Sequence, residues 1–112
     1  MIKKIEHIGI AVKSLSSSND LFKKLFGKDY YKVESVESEG VSTSFFQLGE
    51  TKIELLEATN AESAIAKFID KKGEGIHHIA YENYNNKLAL QYVNVLKNRK
   101  IKNQRADYQL DN

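Results

Sequence analysis

From position 4 to 12 the chain alternates, placing Ile5, His7, Gly9 and Ala11 on one side and Glu6, Ile8, Ile10 and Val12 on the other. Successive side chains on a strand point to opposite faces, so this spacing predicts a strand. A polar run over 14–20 then offers several N-caps for a helix carrying Leu21, Phe22, Leu25 and Phe26. Gly27 stands where a left-handed residue would close that helix. A strand is expected over 30–36 and a turn over 37–40. Positions 41–48 and 51–56 read as a hairpin closed at Gly49-Glu50. A two-residue turn there sets Phe45 opposite Glu54, with Thr43, Phe45, Gln47, Glu54 and Leu56 on one face.

A second helix is expected over 58–72, capped by Thr59 or Asn60, with Ile65, Phe68 and Ile69 as its apolar stripe. Gly73-Glu74-Gly75 is a turn rather than a phosphate loop, and Ile76-His77-His78-Ile79-Ala80 leaves it as a strand. Alternation assigns His78 to one face with Ile76 and Ala80, and His77 to the other. This strand repeats the first. Setting His7 on His78 pairs Ile8 with Ile79, Gly9 with Ala80 and Ile10 with Tyr81. Two matching strands, each with a His beside a small residue, imply two copies of one unit. Leu88, Tyr92, Val95 and Leu96 fall at helical spacing, so the helix of the second copy is expected over 86–100. Residues 101–112 show no convincing alternation, and the second copy reads as incomplete.

Composition narrows the class. A chain of 112 residues, 41% hydrophobic and 29% charged, suits one globular domain. A formal charge of +2 with both signs mixed predicts neither a nucleic-acid nor a membrane partner. The absence of any apolar run near the length of a bilayer span, and of a signal-like apolar start, places the protein in the cytoplasm as an expectation. With no Cys, metal ligands must come from His and carboxylates. Asn supplies seven of the thirty residues from Asn83 onward but two of the preceding eighty-two. That shift raises the expectation that a frameshift or early stop replaced the original C-terminal segment.

His7, Glu54 and His78 form the candidate site, each on its own strand and each able to face one concave surface. Two imidazoles and a carboxylate suit a divalent ion such as Co²⁺, Mn²⁺, Ni²⁺ or Zn²⁺. Gly9 and Ala80 would leave room for ion and ligand. The competing reading makes both His half-buried strand residues satisfied by the backbone, and Glu54 a surface carboxylate. Gln47 is the fallback oxygen ligand, Thr43 a candidate hydrogen-bonder, and His77 a packing or supporting residue on the opposite side. Lys23, Lys24, Lys71 and Lys72 read as a solvated face.

These residues sit in runs that resemble the methylmalonyl-CoA epimerase family of the vicinal oxygen chelate (glyoxalase-like) superfamily over residues 3–82. The runs are Glu6-His7-Ile8-Gly9-Ile10-Ala11-Val12, Thr51-Lys52-Ile53-Glu54-Leu55-Leu56-Glu57, Glu62-Ser63-Ala64-Ile65-Ala66-Lys67-Phe68-Ile69 and Gly73-Glu74-Gly75-Ile76-His77-His78-Ile79-Ala80. The resemblance implies an α+β fold, with a glyoxalase-like βαβββ module, an incomplete second βα module and a cupped mixed sheet. As one domain over 1–112, it divides into a first module at 1–58, a linking helix at 59–75 and a truncated second module at 76–112.

The same resemblance implies an isomerase moving the C2 proton of methylmalonyl-CoA, an acyl-CoA thioester, through a metal-stabilised enolate. His7, Glu54 and His78 would be metal ligands, with Co²⁺ the favoured ion. Thr43 falls at a position where some relatives carry an acid/base Glu. The sequence departs from the family in lacking the final-strand Glu within its apolar run, and Asp107 or Asp111 would replace it only by coincidence. Two other readings stay open: a metal-dependent lyase of the same superfamily, or a non-catalytic dimerising or small-molecule-binding scaffold. Uncovered sheet edges predict a homodimer.

Overall fold

The computed structural model describes residues 2–83 in full, together with the backbone of 87–92 and 103–109. Strand β1 (Ile2–Ala11) leads into helix α1 (Leu15–Phe26), strand β2 (Lys32–Val36) and a 3-10 turn (Glu37–Glu39). The hairpin of β3 (Val41–Leu48) and β4 (Thr51–Ala58) follows, then helix α2 (Ala64–Lys72). The remaining strands are β5 (Gly75–Asn83), β6 (Lys87–Tyr92) and β7 (Asn103–Gln109). The described strands form one mixed sheet in the order β2-β3-β4-β1-β5-β6-β7. β1 runs parallel to β4 and antiparallel to β5, so the two His-bearing strands are neighbours. The α+β class and the strand-helix-strand-strand-strand opening agree with the alternation and capping signals.

Local chemistry explains the helix ends. The Ser14 side chain accepts from the Ser17 N–H and starts α1, and Gly27 closes it at φ 71. α2 begins later than its pattern suggests. Neither Thr59 nor Asn60 caps it; Ser63 does, accepting from the Ala66 N–H at 3.1 Å. Residues ahead of Ser63 are spent on a turn, in which Asn60 Oδ1 accepts from the Glu62 N–H and the Asn60 carbonyl accepts from the Ser63 hydroxyl.

The helices lie on opposite faces. α1 lays Leu15, Phe22 and Phe26 over Val12, Phe46, Ile53 and Leu55, the larger apolar cluster. α2 sets Ile65 and Phe68 against Ala11, Val41 and Leu56, at one end of the other face. That face is left concave beyond α2. Phe46 and Leu55 are fully buried, each contributing on the order of 2 kcal/mol through the hydrophobic effect.

Residues 87–92, expected to be helical, are strand β6, and 103–109, expected to lack a strand, are β7. Leu88 and Tyr92 are four apart, a separation that returns to the same face at both the helical and the strand period. The open edge of β5 decides between them, because its unpaired backbone groups are met by β6, from Glu82↔Leu88 to His78↔Tyr92. The rest of the expected second helix, at 93–100, lies outside the described residues, as do Asp111 and the side chain of Asp107. No helix among the described residues is long and apolar enough to cross a membrane.

Candidate metal centre

Register builds the centre. Gly9 is paired with Glu54 on β4 and with His78 on β5, so the three stand in one row across the sheet. Phe45 extends the row beyond Glu54, as the hairpin turn requires. His7, two residues before Gly9, shares its face and pairs with Ala80. Each His is thus opposite the small residue of the other strand. Gly9 leaves room for the His78 ring itself: a Cβ there would press on Cε1 and come within 2.6 Å of Nδ1 and 2.8 Å of Nε2. The space expected to serve an ion and its ligand is therefore partly filled by imidazole.

Two bulges add residues that alternation assigns elsewhere. Between Ile5↔Tyr81 and His7↔Ala80, β1 advances two residues while β5 advances one, so Glu6 is the extra residue. Between Gly9↔His78 and Ile10↔Ile76, β5 carries the extra residue, His77. A bulge breaks the alternation and re-aims side chains. Glu6 Oε1 consequently lies 2.6 Å from His7 Nδ1, and Glu6 Oε2 lies 3.0 Å from Lys52 Nζ. His77 Nδ1 lies 2.9 Å from His78 Nδ1, and its ring stands edge-on to Phe68 with centroids 4.9 Å apart. His77 therefore joins the cup instead of facing away from it. Nothing in the sequence marks either bulge.

His7 is the hinge of the cluster. Its Nε2 lies 3.0 Å from His78 Nε2, and its Nδ1 lies 3.4 Å from Glu54 Oε2. Glu6, His7 and Glu54 offer ligand atoms all within 4.8 Å of one another, a grouping that could hold a metal ion. His78 meets His7 through the other ring nitrogen.

Electrostatics separates the carboxylates. The His7 hydrogen bond, helped by Lys52, holds the Glu6 carboxyl down to about 2 despite partial burial. Burial opposes the Lys52 charge, yet the Glu6 hydrogen bond and charge more than offset it and raise its pKa. Glu54 is pushed up by burial, only partly countered by His7. Its side chain is 15% exposed, which removes the surface-carboxylate reading. Burial, with His7 and His77 adding to it, pushes His78 down to about 4, and burial lowers His77 as well. His78 is thus uncharged at neutral pH, the state a metal ligand needs.

The spacing of the two imidazoles fits a first-row divalent ion. Ligand nitrogens about 2.1 Å from one ion at right angles stand about 3 Å apart, and the His7 and His78 Nε2 atoms are 3.0 Å apart. Both rings are also held at their other nitrogen, His7 by Glu6 and His78 by His77. Such outer partners orient metal-binding imidazoles. Glu54 meets His7 at Nδ1 whereas His78 meets it at Nε2, so the three residues whose ligand atoms gather within 4.8 Å are Glu6, His7 and Glu54, and His78 stands outside that grouping.

The cup holds a cavity of about 830 Å³ whose wall includes Thr43, Phe45, Glu54, Ile65, His77 and His78. Thr43 is buried and pairs with Glu34 across β2 and β3, and Glu34 lines the same cavity. Glu34 was not singled out by the sequence; the alternation of β2, read against Thr43, was the available signal. Gln47 is occupied in the hairpin turn, its Nε2 donating to the Gly49 carbonyl at 2.8 Å. Glu74 in the Gly-rich turn accepts from the Lys13 N–H, which fits a structural turn. Lys23 and Lys24 make exposed ion pairs with Asp29 and Asp20.

Fold and centre together define a cupped mixed-sheet protein whose two His-bearing strands meet at its middle. The profile of the Glyoxalase/Bleomycin resistance protein/Dioxygenase superfamily matches residues 6–104, and the chain belongs to that superfamily. It is 39% identical over 80 residues to "Uncharacterized protein YqjC" of Bacillus subtilis (strain 168), covering 71% of this chain and 57% of that protein. It is 42% identical over 82 residues to the mitochondrial methylmalonyl-CoA epimerase of Dictyostelium discoideum, covering 72% of this chain and 49% of that protein. The chain therefore spans about half the length of these relatives. The same fold occurs in a solved methylmalonyl-CoA epimerase in complex with methylmalonyl-CoA and NH4+, at a TM-score of 0.72 and 21% identity, covering 98% of this chain and all (100%) of that one.

Proposed function

We propose that this chain carries a methylmalonyl-CoA epimerase-like centre, with His7, Glu54 and His78 holding a divalent ion, Co²⁺ first and Mn²⁺, Ni²⁺ or Zn²⁺ as alternatives. The observation that carries the reading is the 3.0 Å approach of the two Nε2 atoms, one of them on His78 in the wall of a cavity large enough for an acyl group. Relatives named methylmalonyl-CoA epimerase support the choice of substrate, an acyl-CoA thioester. Moving the proton on C2 requires an enolate, whose negative charge is the main barrier. When bound, a divalent ion supplies the positive charge that stabilises that enolate and orients the thioester and carboxylate oxygens.

The chain's own residues do the rest. His7 and His78 offer nitrogen donors, and Glu54 adds a carboxylate whose burial keeps water from competing. Phe45, Leu56 and Ile65 give the cavity apolar walls against the acyl group. Thr43 can donate a hydrogen bond but is too weak a base to remove a carbon-bound proton near neutral pH. Glu34, its cross-strand partner, ion-paired with Lys32 at 3.0 Å, is the carboxylate we assign to proton exchange with C2, although Glu39 and Glu62 also line the cavity. β2 is exposed along all five residues and forms the sheet edge, with Val33 and Val36 uncovered. Pairing of this edge with a second copy is the proposed route to a homodimer, which light scattering on the purified protein checks.

The decisive experiment is deuterium exchange at C2 of methylmalonyl-CoA in D₂O, with and without added Co²⁺. Exchange that depends on the ion and disappears in His7→Ala and His78→Ala supports the reading. Tight, His-dependent ion binding without any exchange would point to the lyase reading. Neither binding nor exchange would leave the scaffold reading in its place.

A further inference from the structure

β2 is an edge of the sheet among the described strands, and all five of its residues are exposed. Lys32, Glu34 and Val36 alternate along it with Val33 and Ser35. Lys32 pairs with Phe45 and Glu34 with Thr43, and both of those partners line the cavity, so Lys32 and Glu34 stand on the concave face. Their side chains are ion-paired at 3.0 Å, and Lys32 Nζ lies 4.5 Å from the centroid of the Phe45 ring. The Tyr31 N–H donates to the Phe45 carbonyl at 2.9 Å, which keeps the chain alongside β3 one residue ahead of β2.

Such an edge presents unpaired N–H and C=O groups, which an identical edge can satisfy. Two copies related by a two-fold axis perpendicular to the sheet run antiparallel there and keep both concave faces on one side. Only residues with the same backbone orientation can face each other, so the axis falls on a residue rather than between two. Centred on Lys32 or on Glu34, the pairing sets like charges directly opposite, which is unfavourable. Centred on Ser35, it sets Glu34 against Val36 and Lys32 against Ser38. Centred on Val33, it sets Lys32 opposite Glu34 on each side of the axis and brings Val33 onto its own copy, both favourable. The charges then alternate in sign around the axis, with each Lys32 between two carboxylates.

We propose that two copies of this chain join through β2 in the Val33-centred register, and that each places its Lys32 at the lip of the other's cavity. The proposal rests on the β2 edge as the route to a homodimer and adds the register and its consequence for the site. Among the described residues the cavity wall carries Glu34, Glu39, Glu54 and Glu62 but no Lys or Arg. An acyl-CoA thioester is anionic, and a wall of that charge opposes its entry. The chain's own Lys32 is shared between Glu34 and the Phe45 ring. The partner's Lys32 adds a second cation beside Glu34, where the anionic substrate enters.

The chain has no Cys, so a single introduced thiol reports the register. Directly opposite Cβ atoms stand about 4.5–5.5 Å apart, close to disulfide range, and diagonal neighbours about 7–8 Å. Val33→Cys should therefore form a covalent dimer under mild oxidation, while Glu34→Cys and Ser35→Cys stay as single chains. Lys32→Glu and Glu34→Lys each set like charges opposite and should weaken dimerisation about tenfold or more in sedimentation runs. Mixed in equal amounts, these two variants should pair with each other, because every charged position then faces its opposite. For the site, the affinity of the unsubstituted chain for methylmalonyl-CoA should fall on dilution below the dimer dissociation constant, and that of crosslinked Val33→Cys should not. Crosslinking at Glu34→Cys in place of Val33→Cys, or no recovery on mixing the charge variants, overturns the register while leaving the dimer standing. A monomer at every concentration overturns the edge pairing and the inference with it, but not the ion site, which Co²⁺ binding tests separately. Affinity indifferent to dilution, or absent even from the crosslinked dimer, overturns the part given to the partner's Lys32.

Discussion

Gly9→Ala is the smallest change that should take the centre apart. Gly9 lies between Glu54 and His78 in the sheet, and the His78 ring rests over its Cα. Gly9 is not among the glycines with positive φ, so the cost of a methyl group there is steric rather than conformational. An added Cβ would stand within 2.6 Å of His78 Nδ1, whereas comfortable contacts begin near 3.5 Å, so the ring must retreat by about 1 Å. Overpacking of this kind costs roughly 1–3 kcal/mol. Replacing Gly in a strand returns about 0.5–1 kcal/mol of backbone entropy. The net loss should be about 1–2 kcal/mol in urea unfolding. The larger effect falls on the His pair. Opening the 3.0 Å Nε2 separation by about 1 Å breaks that contact, and Co²⁺ affinity should fall at least about tenfold. Gly27→Ala is the control: it sits in the left-handed region with nothing within 4 Å, so it should cost about 1 kcal/mol through strain and leave Co²⁺ binding unchanged. A Gly9→Ala protein with unaltered Co²⁺ affinity and unaltered stability would refute the packing of His78 against Gly9.

Other consequences are open to direct measurement. Glu34→Gln should lower C2 exchange about 10²-fold or more while leaving Co²⁺ affinity unchanged, the pattern of a lost proton-transfer group; unchanged exchange removes Glu34 from that role. Ser44 is fully buried, and its Oγ has no partner among the described residues. Ser44→Ala should therefore stabilise the fold by about 1 kcal/mol, and a loss of stability in urea titration would contradict this. Ser63→Ala removes the α2 cap and should cost about 1 kcal/mol, measurable as a lower thermal midpoint. The Glu6 carboxyl is held down to about 2 by His7 and Lys52. Its depressed value means the ion-free fold keeps this contribution in full above about pH 4.5 and loses it as pH falls through about 2. The amount is on the order of 3 kcal/mol. Glu6→Gln should abolish that acid slope in urea titrations run from pH 5 to pH 2; an unchanged slope would assign it to other carboxylates.

Local signals carried much of the architecture. Alternation at β1, the Gly49-Glu50 turn and Gly27 as a helix stop are short-range features, and their elements formed where expected. Opposing Phe45 and Glu54 follows from the length of one turn. The start of α2 was less legible, because Asn60 and Ser63 are equally good caps and only the Asn60 turn, tied beside Gly40, uses up the first. Over Lys87–Tyr92 the four-residue spacing serves helix and strand alike, and pairing with β5 settled it.

What the sequence alone determined is the first five strands, the repeat of a His beside a small residue, and the acidic hairpin position at Glu54. Period-2 and turn chemistry are written in neighbouring residues, so a reader of the chain has them in hand. Tertiary structure decided which ring nitrogens meet, that Gly9 makes way for His78 rather than for a ligand, that Glu6 turns onto His7, and that His77 lines the cup. Those outcomes come from the registers of β1 against β4 and β5 and from two one-residue bulges. A bulge is set by how two distant strands fit together, and a one-residue offset is enough to send a side chain to the other face of the sheet.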